Sequence, residues 1–328
     1  MPVRILILWR PCIAAVSLAA SGAALPQELD PFRAPNLNPP VAIAGLPLWA
    51  DVPESTTLGF TTELANHYRF SRRHDERLRL DGETARIRAY VEHPFRDRWA
   101  VGVDVPYYRQ SGGVLDDVVD GWHSAFGLPD GGREHRPAGL IEFDLADASG
   151  SFFSLNESGS GLGDIQISLA GRFGDGPGTV LRAALKLPTG KEALLAGSGD
   201  TDWSLSALRL HEGSLGAKRA GFYYGGAVIE FGQPKNILFP AKDRALAAVI
   251  GGTVSIRSRF GIKGQIDVNS AFYTSALDEI GTNGVQATLG GWLRFGRAGL
   301  FEYAVSEDLN VNTAPDVVVF ANLSWRLP

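Results

Sequence analysis

The residues best suited to chemistry crowd into one stretch, residues 109–161. Seven acidic or imidazole side chains lie close together there: Asp116, Asp117, Asp120, His123, Asp130, Glu134 and His135. Carboxylate oxygens are good ligands for Ca²⁺, but this spacing differs from that of an EF-hand loop. Carboxylates beside a helix are more often simply solvated, so we predict no metal site.

Nucleophilic catalysis is a second possibility for the same stretch, because His123 stands next to Ser124. Adjacent residues point apart on a helix, so this pair cannot form the hydrogen bond that a nucleophile and its base need. The glycine-rich run 159–164 leads into a strand and not a helix, so it fails as a nucleotide loop. We therefore predict no catalytic residue and no cofactor.

The elements that must position these residues are β-strands. Apolar and polar residues alternate with period two in many segments, for example in 260–268 and 285–295. The pattern predicts about twelve strands, namely 57–70, 83–92, 98–108, 162–173, 178–187, 201–210, 220–231, 244–255, 259–269, 284–295, 298–306 and 316–327. Most approach the roughly 9–11 residues that a tilted strand needs to cross a bilayer.

Long and short connections alternate along the chain, with the middling 211–219 as the exception. Outer-membrane barrels have long extracellular loops and short periplasmic turns, and both termini of the barrel are then periplasmic. We therefore predict an all-β fold, a single antiparallel transmembrane β-barrel over residues 57–328. The alternative is a soluble periplasmic β-sandwich, whose strands would be shorter.

The polar faces of the predicted strands carry charges that cannot face lipid cheaply, since Arg or Lys at the bilayer midplane costs about 2–4 kcal/mol. We predict that these side chains line the lumen: Arg86, Arg88, Asp104, Arg172, Arg182, Lys186, Lys263, Asp267 and Arg294. Two interpretations stay open, a salt-bridge lining that holds the wall together or a path for an anionic or zwitterionic solute.

A short amphipathic helix is predicted over residues 114–126, inside the long loop 109–161. Apolar residues recur there at helical spacing, and Gly127 and Pro129 end the pattern. We expect this helix to act as a plug or lid, with Asp116, Asp120, Trp122, His123 and Phe126 at the gate. A helix lying on the outer rim is the alternative.

The first 24 residues resemble an export signal, with Arg4 before an apolar run and small residues at 21–24. A short membrane anchor is the alternative, although the run is too short to span. Cleavage would remove Cys12, the only cysteine, and leave residues 25–56 as an N-terminal periplasmic segment. The net charge of −5 argues against nucleic-acid binding.

Several short motifs together are more specific than any one of them. They are 80–84 (LDGET), 111–116 (SGGVLD), 120–123 (DGWH), 126–133 (FGLPDGGR), 161–164 (GLGD), 185–190 (LKLPTG) and 314–317 (APDV). In these the chain resembles a bacterial domain-of-unknown-function family (number 3187) of exported proteins, from about Asn36 to the end. The resemblance implies a barrel and an outer-membrane location, but no activity or substrate. The motifs at 161–164 and 186–190 also resemble those of outer-membrane barrels linked to transport of aromatic or apolar compounds.

The preferred prediction is an outer-membrane barrel for passive or gated passage of a small solute, either anionic or apolar. Its expected partners are outer-membrane lipid, the barrel-assembly machinery and that solute. One alternative is a non-conducting barrel that meets its partners through surface loops. The other is a lipid-acting enzyme, although the His-x-Ser-Asn signature of outer-membrane phospholipases is absent from the predicted strands.

Overall fold

The computed structural model describes residues 17–18, 27–113, 139–174, 178–309 and 313–328. Its strands in chain order are β1 (Ser17–Leu18), β2 (Thr57–Arg73), β3 (Glu76–Arg96), β4 (Trp99–Ser111), β5 (Glu142–Ala146), β6 (Phe152–Leu155), β7 (Gly159–Leu162), β8 (Ile165–Phe173), β9 (Thr179–Leu187), β10 (Asp202–Leu215), β11 (Lys218–Glu230), β12 (Arg244–Arg257), β13 (Phe260–Asn269), β14 (Gly284–Phe295), β15 (Gly299–Asp308) and β16 (Val317–Arg326).

Twelve of these strands form a closed antiparallel ring. β2, β3, β4 and β8 through β16 each pair with the next, and β16 pairs back onto β2 from Arg326↔Thr57 to Val317↔Asn66. The prediction of a single all-β barrel of about twelve strands is therefore confirmed. The short strand β1 pairs with Gly213 and Ser214 of β10.

Burial alternates along the wall strands as the sequence pattern predicts. In β4 every second side chain is buried, and the residues between are exposed or half-buried. Large apolar side chains cover the outside of the ring, including Phe60, Ile87, Leu205, Leu246, Ile250 and Leu289. This is the surface that a barrel presents to lipid, and the buried face is the inner one.

Aromatic residues mark the two edges of this apolar belt. Trp99 packs edge-on against Phe173 (5.7 Å between ring centroids), and Phe295 packs against Trp325 (6.0 Å), near the short turns. Tyr68 and Phe70 contact each other (5.1 Å) towards the opposite edge. The arrangement matches the interfacial girdles of membrane barrels.

The barrel has two unlike ends. At the short-turn end lie the compact connections between β3 and β4, β10 and β11, β12 and β13, and β14 and β15, together with both ends of the barrel sequence. The other, the long-loop end, has the longer connections. Residues 211–219 are mostly strand with a two-residue turn at 216–217, which removes the exception in the loop order.

The long-loop end also carries extra sheet. β2 and β3 run on to a two-residue turn at His74 and Asp75, so the predicted connection 71–82 is largely strand. β5 pairs with the outer part of β3, and β6 pairs with β5 to form a short hairpin inside the loop 109–161. β7 continues the line of β8 beside β4.

Helices are few in the part of the chain that the structure describes. α1 (Pro39–Ala42) and α2 (Asp278–Gly281) are single turns, and Gln27–Leu29 and Glu192–Leu194 form 3₁₀ turns. No helix among these residues is long and apolar enough to cross a membrane. The predicted helix 114–126 lies outside the described residues.

Residues 28–54, which we name the inner segment, lie inside the ring. The segment enters at the short-turn end, where Glu28 pairs with Arg294. It turns at α1 at the long-loop end, where Tyr273 Oη donates to the Pro40 carbonyl (2.7 Å), and returns to Arg172 beside the short turns. Residues 25–56 are predicted above as an N-terminal periplasmic segment, and residues 28–54 of it lie instead within the ring.

Proline explains why the inner segment does not add a strand to the wall. It contains Pro31, Pro35, Pro39, Pro40, Pro47 and Pro53. Each proline lacks a backbone N–H and fixes φ, so a regular ladder cannot form. The remaining backbone groups must therefore find partners among the side chains of the wall.

Apolar packing holds the turn of the inner segment at the long-loop end. Val41, Ile43 and Leu46 pack in one cluster with apolar side chains from the wall and loops, among them Phe143, Phe231, Phe239, Phe272 and Tyr273. Lower down, Trp49 packs with Leu208, Tyr223 and Val249. The core of this barrel is thus its filled lumen.

Candidate functional site

The predicted lumen-lining side chains lie on the inner face of the ring. Arg86, Arg88, Asp104, Arg182, Lys186 and Lys263 are buried, whereas Arg172, Asp267 and Arg294 are half-buried. The predicted gate residues Asp116, Asp120, Trp122, His123 and Phe126 lie outside the described residues. The candidate site is therefore the charged lumen and the inner segment that occupies it.

One charge cluster joins β2, β3 and β4. Arg86 donates from Nε and one terminal nitrogen to the two carboxylate oxygens of Glu63, each at 2.7 Å. Arg88 lies 3.4 Å from Glu63 and 3.6 Å from Asp104, and it also donates to the Arg33 carbonyl. Paired charges of this kind avoid the cost of burying each alone.

A second cluster connects the inner segment to two strands. Arg33 lies 2.5 Å from one oxygen of Glu92, and Arg182 lies 3.2 Å from the other. The Arg33 guanidinium also stacks over Tyr90, 4.0 Å from its ring centroid. A wall carboxylate thus binds one cation from the wall and one from the inner segment.

A third cluster surrounds Lys186. Its Nζ lies 2.8 Å from Asp164 Oδ2 and 2.9 Å from Asp202 Oδ2, with all three side chains at least 96% buried. It also donates to the Asp200 carbonyl (3.1 Å). Asp202 in turn accepts from the Gly45 N–H at 2.9 Å, so this cluster contacts the inner segment as well.

Three further ion pairs complete the set. Lys263 pairs with Glu302 (2.5 Å) and donates to the Asp30 carbonyl (2.7 Å). Arg172 pairs with Asp51 at 2.8 Å, and Arg294 pairs with Glu28. Most of the predicted lining charges therefore contact the inner segment, directly or through one partner.

Neutral polar side chains of the wall also bind the backbone of the inner segment. Gln265 accepts from the Phe32 N–H (2.7 Å) and donates to its carbonyl (3.2 Å). Gln286 donates to the Ala34 carbonyl (3.0 Å), and Gln166 to that of Leu46 (3.3 Å). These contacts replace the ladder that the prolines prevent.

Little room remains beside the inner segment. One cavity of about 30 Å³ lies between Asp30, Asp51 and Glu92, and one of about 40 Å³ lies beside Arg88 and Lys186. Such volumes hold only a few water molecules. At the short-turn end an open cavity of about 330 Å³ is lined by Arg259, Arg294, Arg297 and Arg326 with Glu28.

The acidic and histidine side chains of the described residues have the following surroundings. No group of three or more His, Cys, Asp or Glu side chains is placed there to hold a metal ion. His67 Nε2 contacts Thr84 Oγ1 (2.9 Å), and His93 Nδ1 contacts Thr56 Oγ1 (2.8 Å). Both histidines therefore contact wall or rim hydroxyls.

Reasoning from the sequence placed Glu302 on an inner face but missed several other partners of the lining. Glu63, Asp202 and Gln265 also lie on inner faces, so the alternation could have found them. It also missed the inner segment, although the six prolines among apolar residues at 28–54 are a visible signal. The contacts themselves join residues far apart in the sequence, some by more than 200 positions, as Phe32 and Gln265 are.

Comparison with solved structures places the fold among outer-membrane barrels. The COG4313 outer membrane channel from Pseudomonas putida F1 aligns with a TM-score of 0.53 and 14% identity, over 87% of this chain and 98% of that chain. The NalP autotransporter translocator domain from Neisseria meningitidis aligns with a TM-score of 0.40 and 10% identity, over 83% and 89%. For the P. putida toluene transporter TodX the values are 0.35 and 12%, over 84% and 91%.

A search of curated protein sequences finds no match. The sequence model of a protein family of unknown function, DUF3187, matches residues 5–327, which is nearly the whole chain. That match agrees with the family resemblance seen in the short motifs. The chain belongs to the DUF3187 family.

Proposed function

We propose that the protein is a gated channel of the bacterial outer membrane, closed by its own inner segment, for passive passage of a small solute. One observation carries the proposal, namely the inner segment in the lumen of a twelve-strand ring. Eight-strand barrels are filled by wall side chains, whereas sixteen-strand barrels hold a channel. A twelve-strand ring whose lumen is filled by a separate segment can be closed when the segment is inside and open when it has left.

The way the inner segment is held supports a movable closure. Beside the apolar packing of side chains such as Trp49, its two legs contact the wall through ion pairs and hydrogen bonds, such as Asp51 with Arg172 and Ala34 with Gln286. Water can replace such contacts when the lumen fills. Both ends of the segment lie at the short-turn end, so it can leave the lumen without opening the wall.

The path that the segment would vacate indicates the class of solute. Arginines line its lower part and mouth, among them Arg172, Arg182 and Arg294. Aromatic and aliphatic side chains such as Phe143, Phe239 and Phe272 line its upper part. A small organic anion with an apolar body fits both surfaces. The COG4313 protein, which has a similar fold, is described as an outer membrane channel, and this supports the channel part of the proposal.

A reversible crosslink tests the proposal. A Cβ built on Gly45 lies 3.0 Å from the Asp202 Cβ, and a disulfide needs about 3.5–4.5 Å between these atoms. A shift of about half an ångström therefore lets Gly45→Cys and Asp202→Cys join the inner segment to the wall. In a Cys12→Ser background, we expect intermittent openings in planar bilayers under reductant and at least about tenfold fewer after oxidation.

The single variant Gly45→Cys, treated with the same oxidant, is the matched control and is expected to keep its openings. Equal activity of the oxidised and reduced double variant would exclude the inner segment as the gate. Silence of the folded, reduced protein would instead support the alternative of a non-conducting surface barrel. The enzyme alternative would require lipid hydrolysis that is lost on replacing His67 or His93 by alanine.

A further inference from the structure

The outer face of the wall carries an unusual pair of cations near the long-loop end. Even-numbered residues of β2 and odd-numbered residues of β3 face outward there, because they continue the outward set of the wall and because Leu78 and Leu80, between the β3 positions, are buried. Three outward cross-strand pairs follow one another in register: Tyr68 with Asp81, Phe70 with Arg79, and Arg72 with Arg77. The outermost pair places two arginines directly opposite each other.

Like charges in this position destabilise a sheet unless an anion lies between them. Arg79 is neutralised, since it pairs with Glu142. Among the described residues, no carboxylate lies within ion-pairing distance of Arg72 or Arg77, and both are exposed. Within the described residues, the one aromatic ring that either arginine stacks on is that of Phe152, whose centroid lies 5.7 Å from Arg77 Cζ.

The position of the pair along the membrane normal follows from the girdle. Tyr68 and Phe70 mark the edge of the apolar belt, and the next outward pair lies about 7 Å further along the strand. At the usual tilt this rise is roughly 5 Å, within the head-group layer on each side of a bilayer. Exposed Phe70 and Phe152 adjoin the arginines, so the patch is both cationic and apolar.

We propose that Arg72 and Arg77, together with Phe152, bind the phosphate groups of a phosphorylated lipid in the outer leaflet. The inference rests on the outer-membrane location proposed above, but not on conduction. A guanidinium binds phosphate through two parallel hydrogen bonds. One phosphate between the two arginines would remove their repulsion, while Phe70 and Phe152 contact the apolar part of the lipid.

The test is a thermal shift of the full-length protein in uncharged detergent, with diphosphorylated lipid A as the probe. We expect saturating lipid to raise the unfolding temperature by about 3–6 °C, as a ligand that binds only the folded state does. Dephosphorylated lipid A and inorganic phosphate, tested separately, are expected to leave it unchanged. These two arms distinguish a lipid phosphate from a lipid tail or a free anion.

The variant Arg72→Gln/Arg77→Gln is expected to lose most of the shift. Without lipid it should be at least as stable as the wild type, because the opposed charges are gone; a purely structural role predicts the reverse. Arg257→Gln/Arg259→Gln, an equal loss of charge at the short-turn end, should keep the shift. Equal shifts in the first variant and the wild type, or with the dephosphorylated lipid, would overturn the proposal.

Discussion

Deletion of residues 28–52 is expected to convert the closed barrel into a permanently open pore. The twelve-strand wall keeps all of its pairings, because each strand bonds only to its neighbours in the ring. Wall pairs such as Arg86 with Glu63 and Lys263 with Glu302 do not involve the deleted residues. Water would then fill the lumen and hydrate the polar groups that the inner segment leaves behind.

The open pore should prefer anions. Loss of Asp51 and Glu28 frees Arg172 and Arg294, whereas Glu92 loses Arg33 but keeps Arg182. The balance at the lumen surface therefore becomes more positive. Single-channel recording under a salt gradient measures both effects: steady conductance in place of rare openings, and a reversal potential displaced towards that of the anion.

Folding of the deletion variant must be checked by its heat-dependent shift on a gel, since an unfolded chain is also silent. A folded variant that conducts no better than the wild type would contradict closure by the inner segment. The closure would then have to lie in residues 109–161, where the sequence pattern predicts a lid helix. That helix stays a prediction, as do its gate residues.

The second large effect concerns Lys186→Met. The substitution keeps the volume of the side chain but leaves Asp164 and Asp202 as two buried carboxylates without a cation. Removing one partner from a buried ion pair typically costs about 3–5 kcal/mol. We expect the free energy of unfolding to fall by about this amount. The hydrogen bond from Gly45 to Asp202 should be disturbed as well, which would destabilise the closed state.

Chemical denaturation followed by tryptophan fluorescence measures this loss, with Lys191→Met as the matched control. Lys191 is exposed, and within the described residues its Nζ donates one hydrogen bond, to the Ser160 carbonyl (3.2 Å). Adding Asp164→Asn and Asp202→Asn should recover part of the loss, since the site is then uncharged. A Lys186→Met protein as stable as the control would show that this cluster adds nothing.

The wall could be predicted from the sequence because its signal is local. Alternation with period two states which side chains of a strand face lipid and which face inward, as in β13 and β14. The order of long and short connections then sets the direction of each strand. The observed strands differ from the predicted ones only in where they end. β2 and β3, for example, continue as sheet beyond the apolar belt at the long-loop end.

The inner segment could not be predicted in this way because its structure is not periodic. Prolines remove the alternation that marks a strand, and residues 28–54 therefore look like a linker. What holds them is far away in sequence: Phe32 binds Gln265, and Pro40 binds Tyr273. Contacts between residues so far apart produce no local periodicity in the sequence from which they could be predicted.

The charged lining could be predicted in part, since its orientation follows from the sequence but its partners do not. The alternation predicts that Arg86, Arg182 and Lys263 face inward, and their burial agrees with it. It does not state what they bind, so it leaves both the salt-bridge interpretation and the solute path open. Ion pairs with Glu63, Glu92 and Glu302 support the first in the closed barrel, and the second stays a proposal for the open one.

The course of the inner segment also bears on how the protein is assembled. The ring closes where β2 meets β16, at opposite ends of the barrel sequence, and such distant pairings form late. The segment directly precedes β2 and enters and leaves by the same mouth. The ring can therefore close around it, or close first and receive it afterwards, and neither order requires threading of a chain end. The strands of the closed barrel can thus pair in the same order as those of an empty one.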